Sequence, residues 1–346
     1  MSPSDFKILI IKLGAMGDVL RTTPLLEALK RKYPKSEISW LVDRESLEIL
    51  ERCPFLDHLY AYDAHAMTLL KKERFDLSIC LDKEDSALEA VMTIPAERKA
   101  GFGKDAFGNL IPLDKRSEYA VRLGIDDELK FRKNQKTYQE ISFEQVGLVF
   151  EKEEYFFEVS DADRAYARQV YDDLGMVSAP DLAVIGLNTG SGPRFAGKKL
   201  LLPAYSEIAE RLTKEGRRVV LLGGPQEKER NEIIEKSISG KIYNPGCHHT
   251  IKQFAAIMGH CDLVMTGDTL AMHIAIAMKK EVVVFFASTC AAEIELYGRG
   301  TKLVSELECA PCYLRLCPID EKCMKIFPVD RILEQILRQG EVHFGK

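Results

Sequence analysis

Asp18 closes the stretch KILIIKLGAMGD, in which an apolar run breaks into a turn holding Gly14 and Gly17. A strand, a glycine turn and a helix open many nucleotide-binding folds, but few need an acid beside the last glycine. Asp18 therefore reads either as a helix-capping acid or as a carboxylate at a ligand site, able to accept a proton. The loop is not the dinucleotide fingerprint G-x-G-x-x-G, because the glycine that admits a pyrophosphate is missing. Asp43, placed where a ribose-binding acid would sit, is then weak support for hydride transfer. The most specific stretch is Thr266-Gly267-Asp268-Thr269-Leu270-Ala271-Met272-His273. It follows an apolar strand and opens an apolar helix, so backbone N–H groups at the helix start can receive a diphosphate. Asp268 and Thr269 lie at the turn and His273 one helical turn on; a histidine satisfied within the core is the alternative for the last. Thr189, Gly190 and Ser191 form a second glycine turn able to touch a ligand. Gly223 and Gly224 allow close backbone approach, or serve only as turn glycines. Lys198 and Lys199 read as a point charge for an anion or as solvated loop ends.

The elements that must position these residues alternate from end to end between β-rich runs and helical patterns, the signature of α/β layers. Strands are expected at Lys7–Leu13, Glu37–Val42, Asp76–Leu81 and Arg98–Phe102, then at Arg218–Leu222, Leu263–Thr266 and Glu281–Phe286. Helices are expected at Pro24–Tyr33, Ser160–Leu174, Tyr205–Lys214 and Leu270–Met278. DLAVIGLNTGSG repeats the pattern of KILIIKLGAMG after a Gly/Pro/Ser stretch, GMVSAPD, that reads as a linker. The chain thus reads as two Rossmann-like halves in tandem, residues 1–175 and 181–325. The segment 326–346, with its amphipathic run Val329–Arg338, is expected to pack back across the domain boundary.

KILIIKLGAMGDVLRTTPLLEALKRKYP resembles the opening of glycosyltransferase family 9, the bacterial heptosyltransferases of lipopolysaccharide core synthesis. GLNTGSGPRFAGKKLLLPAYSEIAERL is similar to the family's second-domain entry, RRVVLLGGPQEKE to the strand and diglycine that follow, and MTGDTLAMHIAIAMKKEVVVFF to its nucleotide-sugar signature. The resemblance implies a GT-B fold, two Rossmann-like domains facing across a central cleft, with residues 1–175 as the acceptor-binding domain and 181–325 as the nucleotide-sugar-binding domain. It also implies an inverting, metal-independent transfer of a heptose from ADP-heptose to a lipid-linked inner-core oligosaccharide. Asp18 matches the family's base and Lys198 its phosphate-binding lysine. The donor would meet Thr189, Gly190, Ser191, Gly223, Gly224, Thr266, Gly267, Asp268, Thr269, Leu270 and His273. The family usually carries a small residue where this chain has Leu270. Gly17, Lys130 and Arg132 are assigned to the acceptor side, a solvated basic face being the alternative for the last two. A different sugar and nucleotide, or a nucleotide-sugar-binding protein or epimerase on the same fold, are the other readings.

The composition fits: 346 residues, 46% hydrophobic and 29% charged, enough for two cores. A net charge of −5 argues against a nucleic-acid partner. No apolar run reaches the roughly 20 residues of a membrane span, and the N-terminus lacks a signal-peptide pattern. A cytoplasmic protein meeting the inner membrane face only peripherally is expected. The nine cysteines suggest no disulfide framework. Four of them, Cys309, Cys312, Cys317 and Cys323, cluster near the C-terminus. Reduced structural thiols are expected there, with a structural zinc or iron–sulfur site as the alternative. No cofactor is required at the reacting centre, where no aspartate pair resembles the D-x-D of metal-dependent transferases.

Overall fold

The computed structural model describes residues 6–176, 182–192 and 197–344, with side chains placed through Gln339. Most of the expected linker, Val177–Asp181, and the segment Pro193–Ala196 lie outside the described residues. The chain divides into two compact units. The first runs to Glu158 and takes in a distant segment, Ala292–Glu295; the second holds Val159–Ala291 and the chain from Leu296 on.

In the first unit, strands β1 (Lys7–Ile11), β2 (Glu37–Val42), β3 (His58–Ala61), β4 (Phe75–Cys80), β5 (Ala96–Lys104) and β6 (Leu110–Pro112) form one sheet in the order β3-β2-β1-β4-β5-β6. The first five are parallel, and β6 closes the edge antiparallel to β5. Ile8 to Ile11 are buried without exception, as expected of a central parallel strand covered on both faces. The helix Pro24–Lys32 begins with proline at its first turn and ends on Lys30, Arg31 and Lys32, complementing the helix dipole.

The second unit repeats the plan. Strands β7 (Val184–Asn188), β8 (Arg218–Leu222), β9 (Ile242–Tyr243), β10 (Leu263–Gly267), β11 (Glu281–Phe286) and β12 (Gly300–Val304) lie in the order β12-β11-β10-β7-β8-β9, all parallel. Both sheets reverse direction beside their first strand, at β1/β4 and β7/β10. Open α/β sheets bind ligands at that switch point, beyond the carboxyl ends of the strands.

Two boundaries differ from those expected. The helix Asp161–Asp173, with Ala167 and Tyr171 buried, belongs to the second unit and not the first, because it packs on the helix Ile251–Met258. The Tyr171 hydroxyl donates to Ile257 O at 2.8 Å, on the helix Ile251–Met258. The last helix, Val329–Phe344, is likewise part of the second unit: Ile332, Leu333 and Ile336 are buried in the same core as Ile185, Tyr205 and Phe285.

Candidate active site

At the switch point of the second unit, Asn188 ends β7 and pins the neighbouring turns together. Its Nδ2 donates to Gly190 O and Thr266 Oγ1, both at 3.0 Å, and to Thr269 Oγ1 at 3.3 Å. Thr266 is fully buried, as is Thr189, whose hydroxyl engages Leu222 O and Asn231 Oδ1. These two threonines shape the turns from behind, while Ser191, Asp268, Thr269 and Leu270 are partly exposed.

Thr269 caps the helix Leu270–Ala277 without a side-chain hydrogen bond to its first turn. The first N–H groups of a helix have no partners within it and attract anions. Beside this helix start, Lys198 Nζ donates to Asp268 Oδ2 at 3.1 Å, with the two side chains 18% and 17% exposed. Burial alone would raise the Asp268 carboxyl, but Lys198 and His273, with a hydrogen bond from Thr289, hold it below its ordinary value. The backbone is drawn close at the same place: a Cβ on Gly267 would lie 2.1 Å from Lys198 O. Glycine at 267 is thus what lets the lysine-bearing loop pass across the end of β10. His273 is 5% exposed and faces Asp268 electrostatically.

Gly190, Gly223 and Gly224 surround a residue the sequence reading did not single out. Glu227 is 8% exposed and its Oε2 accepts from Gly224 N–H at 3.0 Å. A Cβ on Gly190 would meet Glu227 Cδ at 2.3 Å, and one on Gly223 would meet Glu227 Cβ at 2.6 Å. The glycines leave room for a carboxylate that can accept hydrogen bonds, and its place three residues after a diglycine was the available signal.

In the first unit, Asp18 lies in the short helix Met16–Leu20, one-third exposed and held by two cations. Arg21 approaches Oδ1 at 2.9 Å and Lys12 approaches Oδ2 at 3.9 Å. Lys12 is 5% exposed at the carboxyl end of β1, where its ammonium donates to Gly14 O and to Asp82 Oδ2. Burial would lower that ammonium, but Asp18 and then Asp82 outweigh it and raise it. Asp82, just past β4, also accepts from the N–H groups of Leu13 at 3.1 Å and Gly14 at 3.3 Å. Asp82 therefore fixes the glycine turn that presents Asp18. Gly17 is partly exposed in the same helix, and its carbonyl accepts from Arg21 N–H. Asp43 lies beside Gly14, its carboxyl raised by burial and by Asp82.

The profile of glycosyltransferase family 9 (heptosyltransferase) matches residues 67–323, most of the chain. The chain belongs to glycosyltransferase family 9. Among curated relatives, the lipopolysaccharide core heptosyltransferase OpsX of Haemophilus influenzae is 23% identical over 291 residues, 80% of this chain and 78% of its own. A solved family 9 glycosyltransferase from Veillonella parvula superposes with a TM-score of 0.77 at 18% identity, covering 98% of each chain. The E. coli ADP-heptose lipopolysaccharide heptosyltransferase II does so with a TM-score of 0.69 at 17% identity, covering 96% of this chain and 98% of that one. The likeness to these structures establishes the GT-B fold, and membership of the family makes the chain a glycosyltransferase.

Elsewhere in this family 9 glycosyltransferase the expected residues are more dispersed. Lys130 is partly exposed in the segment Leu129–Lys133, and Arg132, in the same segment, is exposed. Lys130 stands near enough to Lys83 that, after burial, it is the main cause lowering the Lys83 ammonium. Cys309, Cys312, Cys317 and Cys323 are free thiols. Burial, then the neighbouring Cys317, pushes the Cys323 thiol up to about 11. Among the described residues no group of three or more His, Cys, Asp or Glu is placed to hold a metal ion. No helix among the described residues is long and apolar enough to cross a membrane.

Proposed function

We propose that the chain transfers a heptose from ADP-heptose, with inversion, to a hydroxyl of a lipid-linked inner-core lipopolysaccharide acceptor. The acceptor oxygen forms a bond to the anomeric carbon as the bond from that carbon to the diphosphate breaks, and ADP departs. Asp18 takes the hydroxyl proton. A carboxylate facing both Lys12 and Arg21 is a weak base, so the proton moves late, as positive charge builds on the sugar. Lys198 and the N–H groups opening the helix Leu270–Ala277 balance the charge that develops on the departing diphosphate. The nucleoside lies against Gly223, Gly224 and Glu227. Gly17, Lys130 and Arg132 are proposed on the acceptor side, with Arg and Lys suited to phosphates and acidic sugars. A lipid-linked acceptor brings the protein to a membrane surface without spanning it.

The observation that carries this reading is the Lys198–Asp268 pair at the helix start beyond β10, a cation held where a diphosphate would bind. The names of the relatives, heptosyltransferases of lipopolysaccharide core, support the sugar and the acceptor class. The test is a thermal-shift series with ADP-, UDP- and GDP-linked sugars, since a ligand that binds only the native state raises its melting temperature. Saturation at about 100 times Kd adds about 2.7 kcal/mol, worth roughly 5–10 °C in a domain of this size. ADP and ADP-heptose are expected to produce that shift. A response to UDP with none to ADP would exclude the heptose donor while leaving the family intact.

A further inference from the structure

The cation on Asp18 is itself held by a residue from far along the chain. Arg21 lies flat on the Tyr138 ring, 3.9 Å from its centroid, with one edge on Asp18 Oδ1. Its Nη1 faces Glu293 Oε2 at 3.9 Å. Glu293 belongs to Ala292–Glu295, the segment that the second half of the chain contributes to the first unit. The strap is tied down where Tyr138 N–H donates to Glu293 O at 2.9 Å and where Lys152 pairs with Glu295. The Arg21 carbonyl accepts from Gln139 Nε2 at 3.0 Å. The Thr22 hydroxyl donates to Asp18 O at 2.7 Å, leaving Tyr138 Oη, also 2.7 Å from it, to donate to Thr22. The start of the helix Tyr138–Gln145 thus grips the Asp18–Thr22 turn through both backbone and ring.

This arrangement is poorly explained as a device for stability. Among the described residues, Arg21 Nε and Glu293 Oε1 are buried with no protein group hydrogen-bonded to them. A buried ion pair that leaves such atoms unsatisfied gains little over apolar packing, because desolvation offsets the attraction. What the arrangement does secure is the place of one guanidinium against one carboxylate oxygen.

We propose that Arg21, backed by Glu293 and seated on Tyr138, is a positioning residue of the transfer reaction that fixes the Asp18 carboxylate in place and keeps it ionised. This rests on the reading of Asp18 as the base. The charged and titratable groups facing this cluster include Lys12, Lys83, Asp82, Glu293, Tyr138 and Tyr155. A proton taken from the acceptor is unfavourable on Asp18 between two cations, so it is passed to solvent and the base is reset for the next cycle.

The experiment is a carboxyl-detected NMR titration of the full chain labelled at aspartate, with the Asp18 signal assigned by its loss in Asp18→Asn. In Arg21→Gln the Asp18 midpoint is expected to rise by about one pH unit or more, the usual effect of losing an adjacent opposite charge. In Arg21→Lys it should stay within a few tenths of the parent, which also guards against a variant that merely folds poorly. An Asp18 midpoint unmoved by Arg21→Gln would overturn the proposal. Glu293→Gln should lower kcat severalfold with donor KM unchanged, in a transfer assay with ADP-heptose and a deacylated inner-core acceptor; an unchanged kcat would remove Glu293 from the proposal. The two failures separate cleanly. Transfer at the parental rate by Asp18→Asn sinks the base and leaves the titration result standing, whereas an inactive Asp18→Asn with an unmoved Arg21→Gln midpoint sinks only the positioning role.

Discussion

Lys198 and Asp268 are both less than one-fifth exposed, so each needs the other. The folded Asp268 carboxyl titrates below its ordinary value. It therefore stabilises the native state above the unfolded value of about 3.9, and that contribution fades as the pH falls through the folded value. Lys198→Met removes the largest of the groups that lower it, leaving His273 and Thr289 against the effect of burial, so the folded carboxyl rises and stabilisation is lost at neutral pH. A loss of roughly 3 kcal/mol at pH 7.5 is expected, narrowing toward pH 4.5, together with loss of the ADP-induced shift. Melting curves at the two pH values measure both, and a deficit that did not change with pH would contradict the pairing. Asp18 and the 266–273 turn stood out in the sequence as polar residues beside glycine turns, but helix capping explains such residues as well, and it was the family resemblance that gave them roles. Lys12 was legible only as a charge ending an apolar run. Glu293 carried no local signal, since its role comes from the path the chain takes back into the first unit.

The turns depend on what their glycines leave out. Gly267→Ala would set a Cβ 2.1 Å from Lys198 O, a backbone atom, so the whole lysine loop must move. A fall of at least tenfold in ADP affinity by calorimetry is expected, while Gly192→Ala, with nothing among the described residues within 4 Å, should bind as the parent does. Equal affinities in the two variants would contradict the account of the turn. The last helix is expected to matter equally to the second core. Ile332→Ala removes a fully buried side chain, at a cost of about 2–5 kcal/mol, visible as a lower melting temperature. The central strands were legible residue by residue: Glu37–Val42, Arg218–Leu222 and Glu281–Phe286 are apolar runs that open on a charge and lie buried among parallel neighbours. The edge strands were not. Ile242–Tyr243 is two residues long, and Gly300–Val304 is largely part-exposed, so neither carries a clear apolar pattern. The helix Asp161–Asp173 was found but assigned to the wrong half, because a polar helix shows little in its sequence of which core it covers.

For the molecule as a whole, both sheets share one strand order, yet the two switch points are furnished differently. The second unit presents a helix start, a lysine and three glycines around a carboxylate; the first presents an aspartate between two cations. On the proposed function the donor nucleotide belongs to the second unit. Hydrogen exchange on the full chain with saturating ADP should show protection at 188–192, 223–227 and 266–273, with little change at 12–18. Protection centred on 12–18 would reverse the assignment. The central claim is that Asp18 is the base of a heptosyl transfer. Its most direct test is single-turnover transfer from ADP-heptose to a deacylated inner-core acceptor by Asp18→Asn, with the melting temperature checked against the parent. Removing a general base typically costs 10²–10⁴-fold, so a folded variant that still binds ADP and transfers at least ~100-fold more slowly is the predicted result. Transfer at the parental rate would contradict it.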